Sequence, residues 1–190
     1  EVQHLGVNLE NYKLKLRQKS PDNTIIFQSA SYKAKKGFFY SLKAIKELSK
    51  THQNFEFRIV GSGTQEEVLE MEGWIREFGI GDKVHLLGAL PHSEYLKELA
   101  ESDIFLHPSV TAPDGDSEGG SPVGITEASA MGIPVVSSLH ADIPEVVLNG
   151  KSGLLAPERD YMKLAEFLVY FIDNPEKRTE FGLFGRKRIE

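Results

Sequence analysis

The sequence predicts an α/β fold, a doubly wound parallel β-sheet with helices on both faces, and three observations predict it. Short apolar, β-rich runs take turns with longer segments of helical periodicity from one end of the chain to the other, the pattern left by successive strand–helix–strand crossovers. The 190 residues suit one domain, long enough to bury a core without disulfides or metals. No internal repeat, low-complexity stretch or inter-domain linker interrupts the alternation.

TIIFQSA (Thr24 to Ala30) is the first strand. A helix from about Gly37 to Lys50 follows, because Phe38, Leu42, Ile45 and Leu48 fall at helical spacing. FEFRIVG (Phe55 to Gly61) is the next strand, and beyond GSG a helix covers Glu66 to Phe78. KVHLLG (Lys83 to Gly88) and DIFLHPS (Asp103 to Ser109) are strands on either side of a helix in SEYLKELAESD. A further helix is expected to start near Val123, with Pro122 in its first turn, where the missing N–H costs nothing. GIPVVSS (Gly132 to Ser138) and SGLLAP are the last strands, separated by a short helix in DIPEVVLNG that Asn149-Gly150 closes. Amphipathic segments from Tyr161 to Ile172 and from Pro175 to Glu190 finish the chain. Trp74 and the phenylalanines near Phe38 read as core or helix packing.

Composition narrows the function classes. Cysteine is absent, so no disulfide framework or thiolate metal site can form, which fits a reducing compartment; the cytoplasm is the expected location. No run approaches the roughly 20 apolar residues of a membrane span, and no charged-then-apolar signal opens the sequence. A net charge of −6 argues against broad nucleic-acid binding while leaving local basic pockets free to hold a small anion. The chain opens at EVQHLGVNLENY without methionine and stops at GRKRIE inside a charged helix, so it reads as an excised domain.

In a doubly wound sheet ligands bind beyond the carboxyl ends of the strands, which directs attention to the loops after residues 30, 60, 88, 109 and 138. ASYKAKKG (Ala30 to Gly37) places Lys33, Lys35 and Lys36 in a strand-to-helix turn. Such a turn can clamp a phosphate, with the following helix adding its positive dipole; a solvated lysine cluster is the competing reading. VGSG (Val60 to Gly63) lets a backbone approach a ligand closely, but Glu66 occupies the third glycine position of the dinucleotide fingerprint, and a tight turn needs the same residues. DGDSEGGSPVGITEASA (Asp114 to Ala130) is the most informative stretch. Its glycine- and serine-rich loop runs into a helix and presents free backbone N–H groups, which suit phosphate oxygens. Glu127, one turn into that helix, can accept hydrogen bonds from vicinal hydroxyls such as those of a ribose, and Glu118 can do the same for a sugar. A nucleotide sugar fits that arrangement; a capping loop with incidental acids is the bland alternative. His107 and His140 read as satisfied structural histidines, because neither has a second ligand at metal spacing. Ser109 and Ser117 lack the elbow of a hydrolase nucleophile.

HLGVNLENY, KKGFFYSLKAIKEL, FRIVGSGTQEEVLE, IGDKVHLLGALPHSEYLKELAESDIFLHPS, EGGSPVGITEASAMGIPVVSS and IPEVVLNGKSGLLAPERD cover nearly the whole chain. In that order they resemble the C-terminal, donor-binding domain of GT-B glycosyltransferases, the retaining enzymes of glycosyltransferase family 4, and among them the exopolysaccharide and colanic-acid type. The resemblance implies that residues 1–190 form one Rossmann-like domain that binds a UDP- or GDP-sugar, with the acceptor domain in an absent N-terminal half. It implies that Lys36 touches the donor diphosphate, Glu127 the ribose and Glu118 the transferred sugar, while Gly120, Ser121, Pro122, Val123, Gly124 and Ile125 hold phosphate and sugar oxygens. Ala89 and Leu90 would lie near the base, and Gly61 and Gly63 would line the nucleotide cleft. No metal or other cofactor is expected, the helix dipole and lysine replacing a divalent cation. Two departures stand out: Ala30-Ser31 occupies the place of the family's Gly-Arg pair, and eight residues rather than seven separate Glu118 from Glu127. Losing the arginine removes a bidentate phosphate contact that Lys33 or Lys35 would have to replace.

The function this implies is the donor half of a hexosyltransferase that extends a saccharide or glycolipid in surface polysaccharide or lipopolysaccharide assembly. The full-length protein would meet its acceptor through the N-terminal half, with peripheral association at the inner membrane face, and the isolated domain would transfer nothing. A GT-B epimerase is a weaker rival because its usual acid cluster is missing. A catalytically retired domain that binds only nucleotide or a protein partner is the rival outside enzymes.

Overall fold

The computed structural model describes residues 7–14, 23–118 and 120–190; the start of the HLGVNLENY stretch and Gly119 of the glutamate loop lie outside them. Six parallel strands form one sheet: β1 (Thr24–Ser29), β2 (Phe55–Val60), β3 (Val84–Gly88), β4 (Ile104–His107), β5 (Val135–Ser138) and β6 (Gly153–Ala156), in the order β3-β2-β1-β4-β5-β6. The strand order reverses between β1 and β4, which makes their carboxyl ends the topological switch point where such sheets take ligands.

The expected helices are present. They are α1 (Phe38–Ser49), α2 (Gln65–Phe78), α3 (His92–Glu101), α4 (Val123–Ala130), α5 (Ile143–Val146), α6 (Tyr161–Asp173) and α7 (Pro175–Ile189). Most boundaries move by up to three residues, and two of the differences bear on the loops. Pro122 is not inside the first turn of α4 but at its N-cap, with extended ψ of 131°, because the loop must still turn before the helix begins. The helix in DIPEVVLNG is a single turn: Val147 is already extended, and residues 149–150 belong to the bridge and turn that lead into β6.

Strand alternation splits the core between the two faces. Ile26, Phe57, Ile59, Ile104, Leu106 and Val136 pack beneath α1, α2 and α6, meeting Leu42, Ile45 and Leu48 of the predicted helical stripe. Phe27, Phe105 and Val135 point the other way, toward Tyr95 and Leu99 of α3 and Ile125 and Ala128 of α4. Phe38 is buried, whereas Phe39 and Trp74 meet edge to face at 5.1 Å on the flank of that core. A capping box between Thr64 and Glu67 starts α2, satisfying two otherwise unpaired amides.

Candidate active site at the carboxyl ends of β1 and β4

The lysine turn is pinned from below. Gln28 of β1 is fully buried; its amide donates to the Lys36 carbonyl at 3.0 Å, and its Oε1 accepts from Ser41 at 2.6 Å. The Val110 amide donates to the Lys35 carbonyl at 2.9 Å, and Gly37 closes the turn in the left-handed region with φ 72°. Lys36 Nζ therefore reaches Glu118 Oε1 at 2.6 Å, with both side chains largely covered. Lys35 is taken by Asp116 at 3.0 Å and the Ser117 carbonyl at 3.1 Å, and Lys33 by Glu67 at 3.5 Å. The Lys35 hydrogen bond holds the Asp116 carboxyl below its ordinary range. Of the three lysines, Lys36 is the one the fold aims at Glu118, while Ser31 is exposed and uncharged.

His140 holds the loop that carries Glu118. Its Nδ1 meets Glu158 Oε1 at 2.6 Å, and its Nε2 faces Ser117 Oγ at 3.2 Å and the Glu118 amide at 3.4 Å. Burial alone would raise the Glu158 carboxyl; the hydrogen bonds from His140 and the Thr111 amide bring it below its usual range. His140 is thus the satisfied structural histidine expected. His107 is not: it is buried at the end of β4, stacked almost parallel on Phe105, and both ring nitrogens lack a hydrogen-bond partner. Burial, with the nearby charge of Lys36, pushes it down to about 3 and keeps it neutral. Ser121 Oγ, just ahead of α4, is also buried without a partner.

Gly120, Ser121 and Pro122 lead into α4, whose Ile125 amide returns to the Pro122 carbonyl at 3.0 Å. The amides of Val123 and Gly124 belong to the first turn, which offers no acceptor within the helix. Glu127 follows one turn later. Its Oε1 accepts from Tyr12 Oη and its Oε2 from Tyr95 Oη, both at 2.6 Å. Neither tyrosine is visible as a site residue in the sequence, since 115 and 32 residues separate them from Glu127. Leu90 packs at the edge of the α3–α4 core and Ala89 is exposed beside it. Gly61 and Gly63 meet the lysine turn. A Cβ on Gly61 would lie 1.9 Å from the Ala30 carbonyl oxygen and one on Gly63 2.9 Å from Tyr32 Cβ, so packing alone accounts for both glycines.

A cavity of about 500 Å³ lies on the other side of the lysine turn, between Lys33, the start of α1, Trp74 and Arg159; neither Glu118 nor Glu127 lines it. The carboxylates and Lys36 stand instead on the loops and helix that follow β1 and β4, where Lys36 pairs with Glu118 and Glu127 with the two tyrosines. Among the described residues no group of three or more His, Asp or Glu is placed to hold a metal ion, and no helix is long and apolar enough to cross a membrane.

Comparison with known proteins agrees with this geometry. Residues 12–188 match the family model of glycosyl transferases group 1. The amylovoran biosynthesis glycosyltransferase AmsK of Erwinia amylovora is 38% identical over 189 residues, which span 100% of this chain and 46% of AmsK. Among solved structures, HepE of Anabaena, in complex with UDP and glucose, superimposes with a TM-score of 0.82 at 23% identity, over 97% of this chain and 50% of HepE. The C-terminal domain of the group 1 protein LpcC of Francisella tularensis gives 0.80 at 16% identity, over 96% of this chain and 95% of that domain. The chain spans about half the length of the curated relatives it matches. Its parallel six-stranded sheet shares the fold of these GT-B neighbours, and the chain belongs to the glycosyl transferases group 1 family.

Proposed function

We propose that this chain is the donor-binding domain of a retaining glycosyltransferase that passes a hexose from a UDP- or GDP-sugar to a saccharide or glycolipid acceptor in surface polysaccharide assembly. The observation that carries the reading is the meeting of Lys36 and Glu118 at 2.6 Å directly ahead of the α4 N-terminus, with Glu127 one turn inside the helix. Those groups match, in order, what a nucleotide sugar presents: hydroxyls, a diphosphate and a ribose.

In this reading the donor replaces the internal ion pair. Lys36 turns to the diphosphate and Glu118 accepts from hydroxyls of the sugar. As the bond from the anomeric carbon to the diphosphate oxygen breaks, negative charge grows on the leaving group, and Lys36 with the first-turn amides of α4 stabilises it. The acceptor hydroxyl attacks the anomeric carbon from the same face, and its proton passes to the departing diphosphate oxygen. These cationic and dipolar groups do the work a divalent ion does elsewhere, so binding is expected to be independent of magnesium. The acceptor, and any contact with the inner membrane face, belong to the rest of the full-length protein.

Calorimetric titration with UDP, GDP and their hexose conjugates, with and without magnesium, tests the reading. Metal-independent binding of one base class, weakened at least ~10-fold by both Lys36→Ala and Glu127→Ala, is the expected result. A second reading, a domain that binds nucleotide without turnover, is favoured by Ser31 and by the engagement of Lys33 and Lys35 with acidic side chains. Hexose transfer by the full-length protein excludes it.

A further inference from the structure

We infer that Tyr12 and Tyr95 are positioning residues that hold the Glu127 carboxylate ready for the vicinal diol of a ribose, and that this clamp makes the chain select ribonucleotides over deoxyribonucleotides. The inference rests on the reading of Glu127 as the ribose contact and adds to it the groups that make the contact selective.

The two phenols approach Glu127 from unrelated parts of the chain. Tyr95 comes from α3 and Tyr12 directly follows a short 3-10 turn at Leu9–Asn11, and both are buried. Each donates to a different carboxylate oxygen at 2.6 Å, within the range of a charge-assisted O–H to O⁻ bond. An ionised carboxylate has about four lone-pair sites on its two oxygens. With one phenol on each oxygen, each keeps acceptor capacity for one further hydroxyl, which is what two adjacent hydroxyls require. A free glutamate would have to give up rotamer freedom on binding; this one has given it up already.

The clamp is itself braced. Arg186 of α7 donates to the Tyr12 carbonyl at 2.7 Å and to the Ala130 carbonyl at the end of α4, tying the Tyr12 segment to the helix that carries Glu127. Ser29 Oγ stands 3.5 Å from Tyr95 Oη. Burial first, then the hydrogen bond and charge of Glu127, raise the Tyr12 phenol, and the same influences raise Tyr95. Both therefore stay protonated donors at neutral pH.

The test compares the binding of UDP with 2′-deoxy-UDP, and of GDP with 2′-deoxy-GDP, in the wild type, Tyr12→Phe, Tyr95→Phe, the double variant and Glu127→Ala. Phenylalanine keeps the ring packing and removes only the donor. The wild type is expected to prefer the ribonucleotide by about 10-fold or more. The double variant should keep its deoxynucleotide affinity while that preference falls to about 2-fold, near the ratio of Glu127→Ala. Equal loss of both nucleotides in the phenylalanine variants would make the tyrosines merely structural and overturn the inference, as would an unchanged ratio. Tighter ribonucleotide binding on removing the hydroxyls would overturn it too, by making the phenols competitors of the ribose. A ratio that Glu127→Ala leaves unchanged would instead defeat the ribose reading of Glu127, and the clamp with it.

Discussion

His107 stands at the end of β4 with both ring nitrogens buried and unpaired, beneath the glutamate loop and close enough to Lys36 to feel its charge. An unsatisfied buried polar group costs about 1–3 kcal/mol, and such groups are kept where function needs them. His107→Leu is therefore expected to raise the stability of the empty chain by about 1 kcal/mol at neutral pH, read from urea unfolding. The pH dependence has a definite sign. The folded-state pKa of about 3 lies below the ~6.5 of an unfolded histidine, so the unfolded chain binds more protons between those values. The stability that keeps this imidazole neutral is fully present above about pH 6.5 and drains away as the pH falls toward 3. Wild type should lose stability between pH 7 and pH 5 more steeply than His107→Leu, and parallel curves for the two proteins would contradict the argument.

The β1–α1 connection shows how an element aims a site. Gly37 has φ of 72°, and a Cβ there would lie 1.8 Å from the Pro108 carbonyl oxygen, a backbone atom that cannot step aside. Gly37→Ala thus combines left-handed strain with overpacking against β4's exit. It is expected to cost about 3 kcal/mol and to weaken nucleotide binding in the protein that still folds, because Lys36 moves with the turn. Thr64→Ala, which removes only the α2 capping box, should cost about 1 kcal/mol and leave binding unchanged. Urea unfolding and calorimetry on the two variants separate these outcomes. Elements of this kind were legible in the sequence, since helical spacing in α1 and apolar runs in the strands are local signals. So was the placing of Lys36, in the turn after β1, and of Glu118 and Glu127, in the loop and helix after β4, at the carboxyl end of the sheet. Tyr12 and Tyr95 were not, because their role exists only after distant segments meet. Nor was the state of His107: sequence gives its place at a strand end, while the lack of partners is a property of packing.

At the scale of the whole molecule, the two ends of the sheet divide their tasks. The carboxyl ends carry the paired charges of Lys36 with Glu118 and Lys35 with Asp116. The amino ends carry a buried knot that joins the last helix to the first strand. Arg178 of α7 is only 7% exposed and donates to Thr24 Oγ1 at 3.1 Å, while Asp103, ahead of β4, accepts from the Ile25 amide at 2.9 Å. Burial lowers the Arg178 pKa, and the charges of Asp103 and Glu176 oppose that shift. Replacing the guanidinium removes its buried hydrogen bond to Thr24 and its Coulombic attraction to Asp103, at a cost of about 1–3 kcal/mol. Arg178→Leu is therefore expected to lower the urea midpoint markedly. Nucleotide affinity at 25 °C should stay within about 2-fold of wild type in whatever fraction remains folded, since the described hydrogen bond of Arg178 goes to Thr24 at the amino end of β1. A matching loss of affinity in the folded protein would mean that α7 transmits the state of this knot to α4, against which it packs, and that the two ends of the sheet are coupled.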